Sequence, residues 1–590
     1  MHFAELAQTF DAIENTSARR ELVTLLADLF GSAQDHELQP LIYLCQGRLA
    51  PAFVPLEFGM AEKTTADAIG QAYGIDRTAV LERYNALGDL GRVASELRQA
   101  WLAGKPPESG DAPDAALDVV TIYSRLRQIA EASGAGSLAR KTELLIALLR
   151  QLDPSSAKHL VRMVLGQLRL GIGDPTILDA LSVAHQGDKQ LRPTLEAAYN
   201  RISDLGLLAQ LLRTQGIAAV AAIPIRSGNP VRPALAERLP DAQAILARLG
   251  PCLVEPKFDG FRLQVHRVGD AVRIFSRNLE EMSAMFPEVT EATGRLGATD
   301  AIFEGEVLAY NVTTEEFLPF QQTTRRRRKH GVEEMAAELL LRLFVFDLLY
   351  INGADLTPLP YTERREQLHA LLGEGDERGV LAIAPAELVS EPAALERVFE
   401  QSIAQGLEGI VAKKPDAPYQ AGARNFNWVK LKRVSAGHIQ DTVDCVILGY
   451  LYVRGKRAAF GVGALLVGVY DSERDEFATV TKIGTGLSDA EWRAVRERCD
   501  PITVAQRPAR VTALITPSAW VEPQVVIEVL ADEITRSPMH TCGMREGQSG
   551  YALRFPRLIS FRDADKRPED ATTVAEIIAL YAQQGRRAAT

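Results

Sequence analysis

The sequence lacks paired cysteines, long apolar runs and an excess of positive charge. Five cysteines are scattered over 590 residues without a C-x-x-C pair, which argues against a disulfide framework and against a cysteine-ligated zinc site. No apolar run approaches the length of a membrane span and the N-terminus has no signal-peptide pattern, so we expect a soluble, cytoplasmic protein. Because the net charge is −10, any contact with nucleic acid must use local basic patches.

The chain is too long for one core, and two to four domains are expected. Apolar residues recur at helical spacing from Phe3 to about Leu212, for example at Leu22, Leu25, Leu26 and Leu29. This pattern predicts an all-helical region with short loops. A linker rich in Ala, Pro and Gly follows from Gly216, and after it the pattern changes to strands mixed with helices.

Two glycine-containing loops of the helical region lie beside cations. One is 134–141, which ends in Arg140 and Lys141, and the other is 169–173, which begins with Arg169. Backbone N–H groups at helix starts bind phosphate well, and glycines let a DNA backbone approach. Plain turns between helices explain the same loops equally well, so both interpretations stay open.

The middle third places charged side chains in apolar strands. Lys257 ends the run that begins at Cys252, and Arg262 follows an Asp-Gly turn. Further such segments are 274–278, 301–308, 343–350, 407–413 and 428–432. A structural ion pair explains one buried charge, since charges in apolar strands are normally paired or functional. A balanced set of lysines, arginines and glutamates favours an active site.

The residue types in this set suit phosphoryl chemistry. A lysine amine must be neutral to attack phosphorus, yet free lysine titrates near pH 10.4. We therefore expect burial and the neighbouring cations Lys430 and Lys432 to lower the pKa of Lys257. Mg²⁺ prefers carboxylate oxygens, which suits Glu306 and Glu408. An aromatic strand residue, Phe346, can stack on a purine.

In order along the chain, these segments resemble the motifs of ATP-dependent DNA ligases of the archaeal type. The matching stretches are 257–262, 304–306, 346–347, 408–409, 430–432 and, near the C-terminus, 553–563. The resemblance implies that Lys257 takes AMP covalently. It also implies that Glu255 reads the adenine amino group and that Phe346 stacks on the ring, although Phe344 shares the same strand face.

The same resemblance assigns the remaining side chains around the nucleotide. The implied cofactor-binding residues are Glu255, Arg262, Arg277, Glu306, Phe346, Arg424, Lys430 and Lys432. Among these, Arg262 and Arg277 would hold ribose and phosphate, whereas Arg424 and Lys430 would meet the phosphates. Glu306 would contact the ribose and, with Glu408, the metal.

The expected fold is multidomain. It comprises an all-α DNA-binding domain over 1–215, an α+β adenylation domain over 216–436 and a β-barrel OB-fold domain over 437–590. Several short strands in the last third are typical of a small barrel. We expect the basic run 324–330 to contact DNA phosphates. The cationic hairpin 453–457 suits either backbone contacts or a solvated turn.

The implied function is the sealing of nicks in duplex DNA, with ATP and Mg²⁺, through a lysyl-AMP enzyme and a 5′-adenylated DNA. We expect a monomer that acts on nicked double-stranded DNA in the nucleoid, with a sliding clamp as a further partner. An mRNA-capping guanylyltransferase, an RNA ligase and a non-enzymatic DNA clamp stay as alternatives. An NAD-dependent ligase is disfavoured because a clustered cysteine zinc site is missing.

Overall fold

The computed structural model describes most of the chain in three regions. The described residues are 1–104, 117–311, 316–317, 323, 326, 339–373, 379–405, 407–432, 442–452, 462–484, 487–546 and 548–587. None of the helices among them is long and apolar enough to cross a membrane.

The N-terminal region is helical, as predicted. Its helices are α1 (Phe3–Glu14), α2 (Arg19–Ser32), α3 (Asp35–Cys45), α4 (Glu62–Tyr73), α5 (Arg77–Leu87), α6 (Leu90–Ala103), α7 (Val119–Glu131), α8 (Ser137–Gln151), α9 (Pro154–Val164), α10 (Asp174–Gln186), α11 (Arg192–Ile202) and α12 (Leu205–Ala221). Their apolar stripes meet in one core. Asp153 caps α9 through the backbone N–H groups of Ser155 and Ser156. The helical path of α12 is broken at Gly216, where φ is 79°, so the backbone changes direction where the predicted linker begins.

The middle region contains two sheets with helices on their outer sides. Its strands are β1 (Leu235–Arg238), β2 (Cys252–Lys257), β3 (Phe261–Val268), β4 (Ala271–Ser276), β5 (Asp300–Asn311), β6 (Glu316–Phe317), β7 (Leu341–Ile351), β8 (Ala354–Asp355), β9 (Leu381–Ile383), β10 (Glu387–Val389), β11 (Gly409–Lys413) and β12 (Arg424–Lys432). Its helices are α13 (Ala242–Leu249), α14 (Pro287–Gly294), α15 (Tyr361–Leu372) and α16 (Pro392–Ala404).

The two sheets of the middle region have different strand orders. One runs β1-β12-β11-β2-β10, and the other runs β4-β3-β5-β7-β8 with β6 beside β5 and β9 beside β7. In the first sheet Lys257 lies opposite Gly409, and in the second Arg262 lies opposite Glu306. Each sheet therefore contributes charged strand residues to the space between them.

The C-terminal region consists of short strands and two helices. Its elements are β13 (Val443–Tyr452), β14 (Val462–Asp471), β15 (Glu476–Ile483), α17 (Asp489–Cys499), β16 (Thr503–Val504), β17 (Val511–Thr512), β18 (Ala519–Val521), β19 (Val526–Leu530), β20 (Glu533–Ser537), β21 (Gly550–Arg554), β22 (Arg557–Phe561) and α18 (Val574–Arg587). The pairings among the described strands form open sheets and do not close a barrel.

Ion pairs and hydrogen bonds join the three regions. Arg19 of the helical region contacts Asp475 of the C-terminal region at 2.7 Å. Arg232, just before β1, contacts Asp174 at the start of α10 at 2.9 Å. The chain is thus folded back so that both outer regions contact each other as well as the middle one.

Candidate functional site

One cavity between the two sheets of the middle region gathers all ten residues predicted for the site. They are Glu255, Lys257, Arg262, Arg277, Glu306, Phe346, Glu408, Arg424, Lys430 and Lys432. The C-terminal region closes over the same cavity with Asp444, Arg562 and Lys566. Residues far apart in sequence therefore line a single space in which opposite charges alternate.

Lys257 ends β2 and points into this cavity. Its Nζ atom forms an ion pair with Glu408, whose carboxylate also lies 3.4 Å from the Nζ of Lys432. Burial acts to lower the pKa of Lys257, but Glu408, together with Glu306 and Asp259, outweighs it and raises the pKa. The predicted lowering of this pKa is therefore wrong for this arrangement, because a carboxylate rather than a cation is the nearest charge.

The position of Glu408 depends on the glycine that follows it. Gly409 has a φ of +147°, and a Cβ at this position would collide with the carbonyl oxygen of Leu431 on β12. Only glycine lets β11 approach β12 so closely. The Glu-Gly pair thus brings the Glu408 carboxylate beside Lys257.

Glu306 and Glu408 offer a fitting pair of ligands for a divalent cation. Both carboxylates line the cavity that contains Lys257, and carboxylate oxygens are the donors that Mg²⁺ prefers. Burial raises the pKa of Glu306 to about 7, against the opposing charges of Lys257 and Arg262. A cation would stabilise the ionised form of this buried carboxylate.

The far end of the cavity is built around Glu255. This carboxylate accepts hydrogen bonds from the hydroxyl of Tyr361 and, at 2.8 Å, from the Nζ of Lys413. The Lys413 ammonium also lies 4.6 Å from the ring centre of Phe346 and 4.4 Å from that of Trp428. Sequence reasoning assigned no role to Lys413 or Tyr361. Strand alternation could have identified Lys413, because Lys413 lies on the same face of β11 as Val411, and Val411 pairs with Glu255.

The two candidate stacking residues on β7 occupy different places. Phe344 stacks on Phe258 with ring centres 4.5 Å apart and belongs to a small buried cluster. Phe346 lines the cavity and meets Trp428 edge-on at 5.9 Å. This difference favours Phe346 as the residue that stacks on a bound base.

Arg262 is held by a buried hydrogen-bond network. It donates to Glu304 at 2.7 Å and to the carbonyl oxygen of Ala234 at 2.7 Å. Glu304 also accepts from the hydroxyl of Tyr419 at 2.7 Å and from Gln264 at 3.1 Å. The guanidinium is therefore oriented before any ligand binds.

Acidic residues near the C-terminus contact the cations predicted to bind phosphate. Asp570 lies 3.1 Å from Arg277. Glu576, in α18, lies 2.7 Å from Arg424 and 3.1 Å from Lys430. Burial lowers the pKa of Lys430 to about 7, although Glu576 acts in the opposite direction. The carboxylates stand where negatively charged oxygens of a ligand would be expected, and sequence reasoning did not find them.

The structure describes only some of the other residues predicted to contact phosphate. Within the basic run 324–330 the structure describes Arg326, which is fully buried and pairs with Glu288 at 2.8 Å. The phosphate interpretation is therefore wrong for Arg326, whereas the rest of the run and the hairpin 453–457 lie outside the described residues. The two glycine-containing loops make hydrogen bonds within the protein. In the loop 134–141, Lys141 donates to the carbonyl of Phe58 at 2.6 Å. In the loop 169–173, the N–H of Gly171 donates to Glu522 at 2.9 Å.

Comparisons with known proteins agree with this arrangement. Family models match residues 2–182 (DNA ligase N terminus), 233–432 (ATP dependent DNA ligase domain) and 458–566 (ATP dependent DNA ligase C terminal region). A probable DNA ligase of Dictyoglomus thermophilum is 48% identical over 99% of this chain and 98% of its own length. The chain belongs to the ATP-dependent DNA ligases. The resemblance predicted from the motifs is therefore confirmed.

Another relative is also similar along its full length, and one solved structure is similar over part of the chain. DNA ligase 2 of Thermofilum pendens is 42% identical over 99% of this chain and 98% of its own length. A solved structure, mycobacterial DNA ligase D complexed with ATP and MES, is 26% identical over 58% of this chain and 97% of that chain, with a TM-score of 0.33. The enzyme uses ATP with Mg²⁺, as members of this family do.

Proposed function

We propose that Lys257 is the covalent nucleophile of an enzyme that seals nicks in duplex DNA. Its Nζ attacks the α-phosphorus of ATP, a P–N bond forms, and the P–O bond to pyrophosphate breaks. AMP then passes to the 5′-phosphate at the nick, and the lysine amine is released. The 3′-hydroxyl finally attacks that 5′-phosphate and expels AMP. The observation that supports this assignment is the convergence of ten predicted residues on one cavity.

The other cavity residues bind and orient the nucleotide in this proposal. Glu255 accepts a hydrogen bond from the adenine amino group while Phe346 stacks on the ring. Arg262 and Arg277 bind ribose and phosphate oxygens. Arg424, Lys430 and Lys432 neutralise the phosphate charges, and this neutralisation is the main electrostatic contribution to such a transfer.

Glu306 and Glu408 would hold Mg²⁺, and Glu306 also contacts the ribose. The bound cation supplies charge neutralisation at the phosphate that is attacked. A cation held by Glu408 would weaken the ion pair between Glu408 and Lys257. Without that pair, burial and the neighbouring cations would favour the neutral amine that the attack requires.

The proposal extends to domains and partners. The regions 1–215, 216–436 and 437–590 act as DNA-binding, adenylation and OB-fold domains of a monomer that encloses nicked duplex DNA in the nucleoid. Gel filtration with light scattering tests the monomer. A sliding clamp is a further candidate partner, and a pull-down of the full chain with the clamp of the same cell tests it.

An adenylation and sealing assay tests the function. The full chain is incubated with Mg²⁺ and ATP labelled on the α-phosphate. One portion is denatured to detect bound AMP, and a second, native portion is incubated with nicked DNA. We expect an acid-labile protein–AMP band and joined DNA. A label from GTP but not ATP would indicate a capping enzyme, and joining of nicked RNA alone would indicate an RNA ligase. Binding of nicked DNA without any label would leave a non-enzymatic clamp.

Glu576→Gln should make the protein take AMP at lower ATP concentrations. The substitution keeps the side-chain size but removes the charge that faces Arg424 and Lys430, so phosphates compete with a weaker partner. We expect the KM for ATP in self-adenylation to fall about threefold to tenfold. Asp532→Asn is the matched control, because Asp532 pairs with the exposed Arg557. A higher KM would mean that Glu576 supports the two cations instead of competing for them.

A further inference from the structure

A small apolar cluster connects the helical region to the edge of the nucleotide cavity. Phe53 comes from the segment between α3 and α4, Phe275 from β4, and Leu279 from the turn after β4. All three side chains are buried. The rings of Phe53 and Phe275 meet edge-on with centres 6.3 Å apart. One aromatic side chain of the helical region is thus inserted into the surface of the middle region.

The backbone at Phe53 is fixed as well as its ring. Arg273 donates a hydrogen bond to the carbonyl oxygen of Phe53 at 3.1 Å and another to Glu281 at 3.0 Å. The guanidinium lies 4.9 Å from the ring centre of Phe275. The same short stretch of the middle region therefore holds Phe53 by packing and by hydrogen bonding.

The turn beneath Phe53 has an unusual backbone. Leu279 has a φ of +65°, a left-handed conformation that side chains with a Cβ rarely adopt. Its N–H donates to the carbonyl of Ser276 at 2.8 Å, and the N–H of Ser276 donates to the carbonyl of Glu280 at 2.9 Å. Such a conformation persists only where the surroundings determine it. Burial of the Leu279 side chain in the cluster with Phe53 and Phe275 provides that constraint.

This turn also carries a predicted nucleotide-binding residue. Arg277 lies two residues before Leu279, lines the cavity and pairs with Asp570 of the C-terminal region. The next residue, Asn278, donates to the carbonyl oxygen of Asp563 at 3.2 Å. The conformation of one short turn thus decides where the Arg277 guanidinium points, and Phe53 shares a buried cluster with Leu279 of that turn.

We propose that Phe53 is a positioning residue for the reaction with ATP. Packed on Leu279, it keeps the turn in the conformation that directs Arg277 at the nucleotide phosphates. The inference rests on the proposed function, since it assigns Arg277 to ATP. The helical region then contributes to the ATP-dependent step that precedes any contact with DNA.

The test measures self-adenylation of the full chain over a range of ATP concentrations without DNA. In Phe53→Ala we expect the KM for ATP to rise about tenfold while kcat changes less than about twofold. Phe53→Leu should recover most of the loss, because an apolar side chain again covers Leu279. Val54→Ala is the matched control. Val54 follows Phe53 in the sequence, but its side chain is 38% exposed, so this substitution should leave both constants unchanged.

A double-mutant cycle separates positioning from a general loss of structure. Arg277→Ala alone should raise the KM for ATP, and adding Phe53→Ala to it should change the KM little, because both act through the same guanidinium. Additive effects, or an unchanged KM in Phe53→Ala, would overturn the inference. A wild-type chain that takes no AMP would instead overturn the proposed function.

Discussion

Lys257→Ala should abolish transfer of AMP to the protein. Lys257 ends β2 and lines the cavity. Its side chain carries the nucleophilic nitrogen in the proposed reaction. Without that nitrogen no P–N bond can form, so labelling should fall by at least about 10³-fold. The measurement is the amount of acid-labile AMP bound to the full chain at saturating ATP.

Two controls distinguish a lost nucleophile from a lost fold. Lys414→Ala removes a lysine close in sequence to the site whose side chain is 44% exposed and pairs with Asp416, and it should be labelled normally. Nicked DNA that already carries a 5′-adenylate should still be sealed by Lys257→Ala, since the last step needs no lysyl-AMP. Retained labelling of Lys257→Ala would exclude this lysine as the nucleophile.

Asp347→Ala should destabilise the middle region strongly. Asp347 on β7 and Arg364 on α15 form an ion pair at 2.8 Å, and both side chains are fully buried. Truncating the aspartate leaves the guanidinium buried without its counter-charge. Breaking a buried pair in this way typically costs about 3–5 kcal/mol. The change in the free energy of unfolding is measured by chemical denaturation, with a spectroscopic probe in the middle region as the readout.

A matched exposed pair provides the contrast. Arg397 and Glu387 also contact each other, but their side chains are 49% and 46% exposed. Glu387→Ala should therefore change stability by less than about 1 kcal/mol. Replacing both members of the buried pair by leucine and methionine should recover much of the loss, because no unpaired charge is left. Equal effects of Asp347→Ala and Glu387→Ala would contradict the role assigned to burial.

The sequence predicted the cavity better than it predicted the contacts inside it. Charges in apolar strands were informative because strand alternation fixes which side chains share a face. The motif resemblance added Glu255 to this set, and the structure brings Glu255, Lys257 and Glu306 into one cavity. The helical region followed from its 3.6-residue period.

The remaining features depend on contacts between distant parts of the chain. Asp570 and Glu576 lie in a local sequence that is ordinary for a helix start, and only tertiary packing brings them to Arg277 and Arg424. The raised pKa of Lys257 has the same origin, because it depends on how close Glu408 comes. Local patterns do not encode such distances. The described C-terminal strands pair in open sheets rather than in the expected closed barrel, and strand pairing of this kind is equally a long-range property.

The carboxylate of Glu576 has a thermodynamic consequence for the order of events. If ATP phosphates and α18 compete for Arg424 and Lys430, nucleotide binding and release of α18 are linked equilibria. Linkage is reciprocal. A ligand that binds the released α18 or its surroundings, DNA included, must then raise the affinity for ATP. ATP in turn must raise the affinity for that ligand by the same factor.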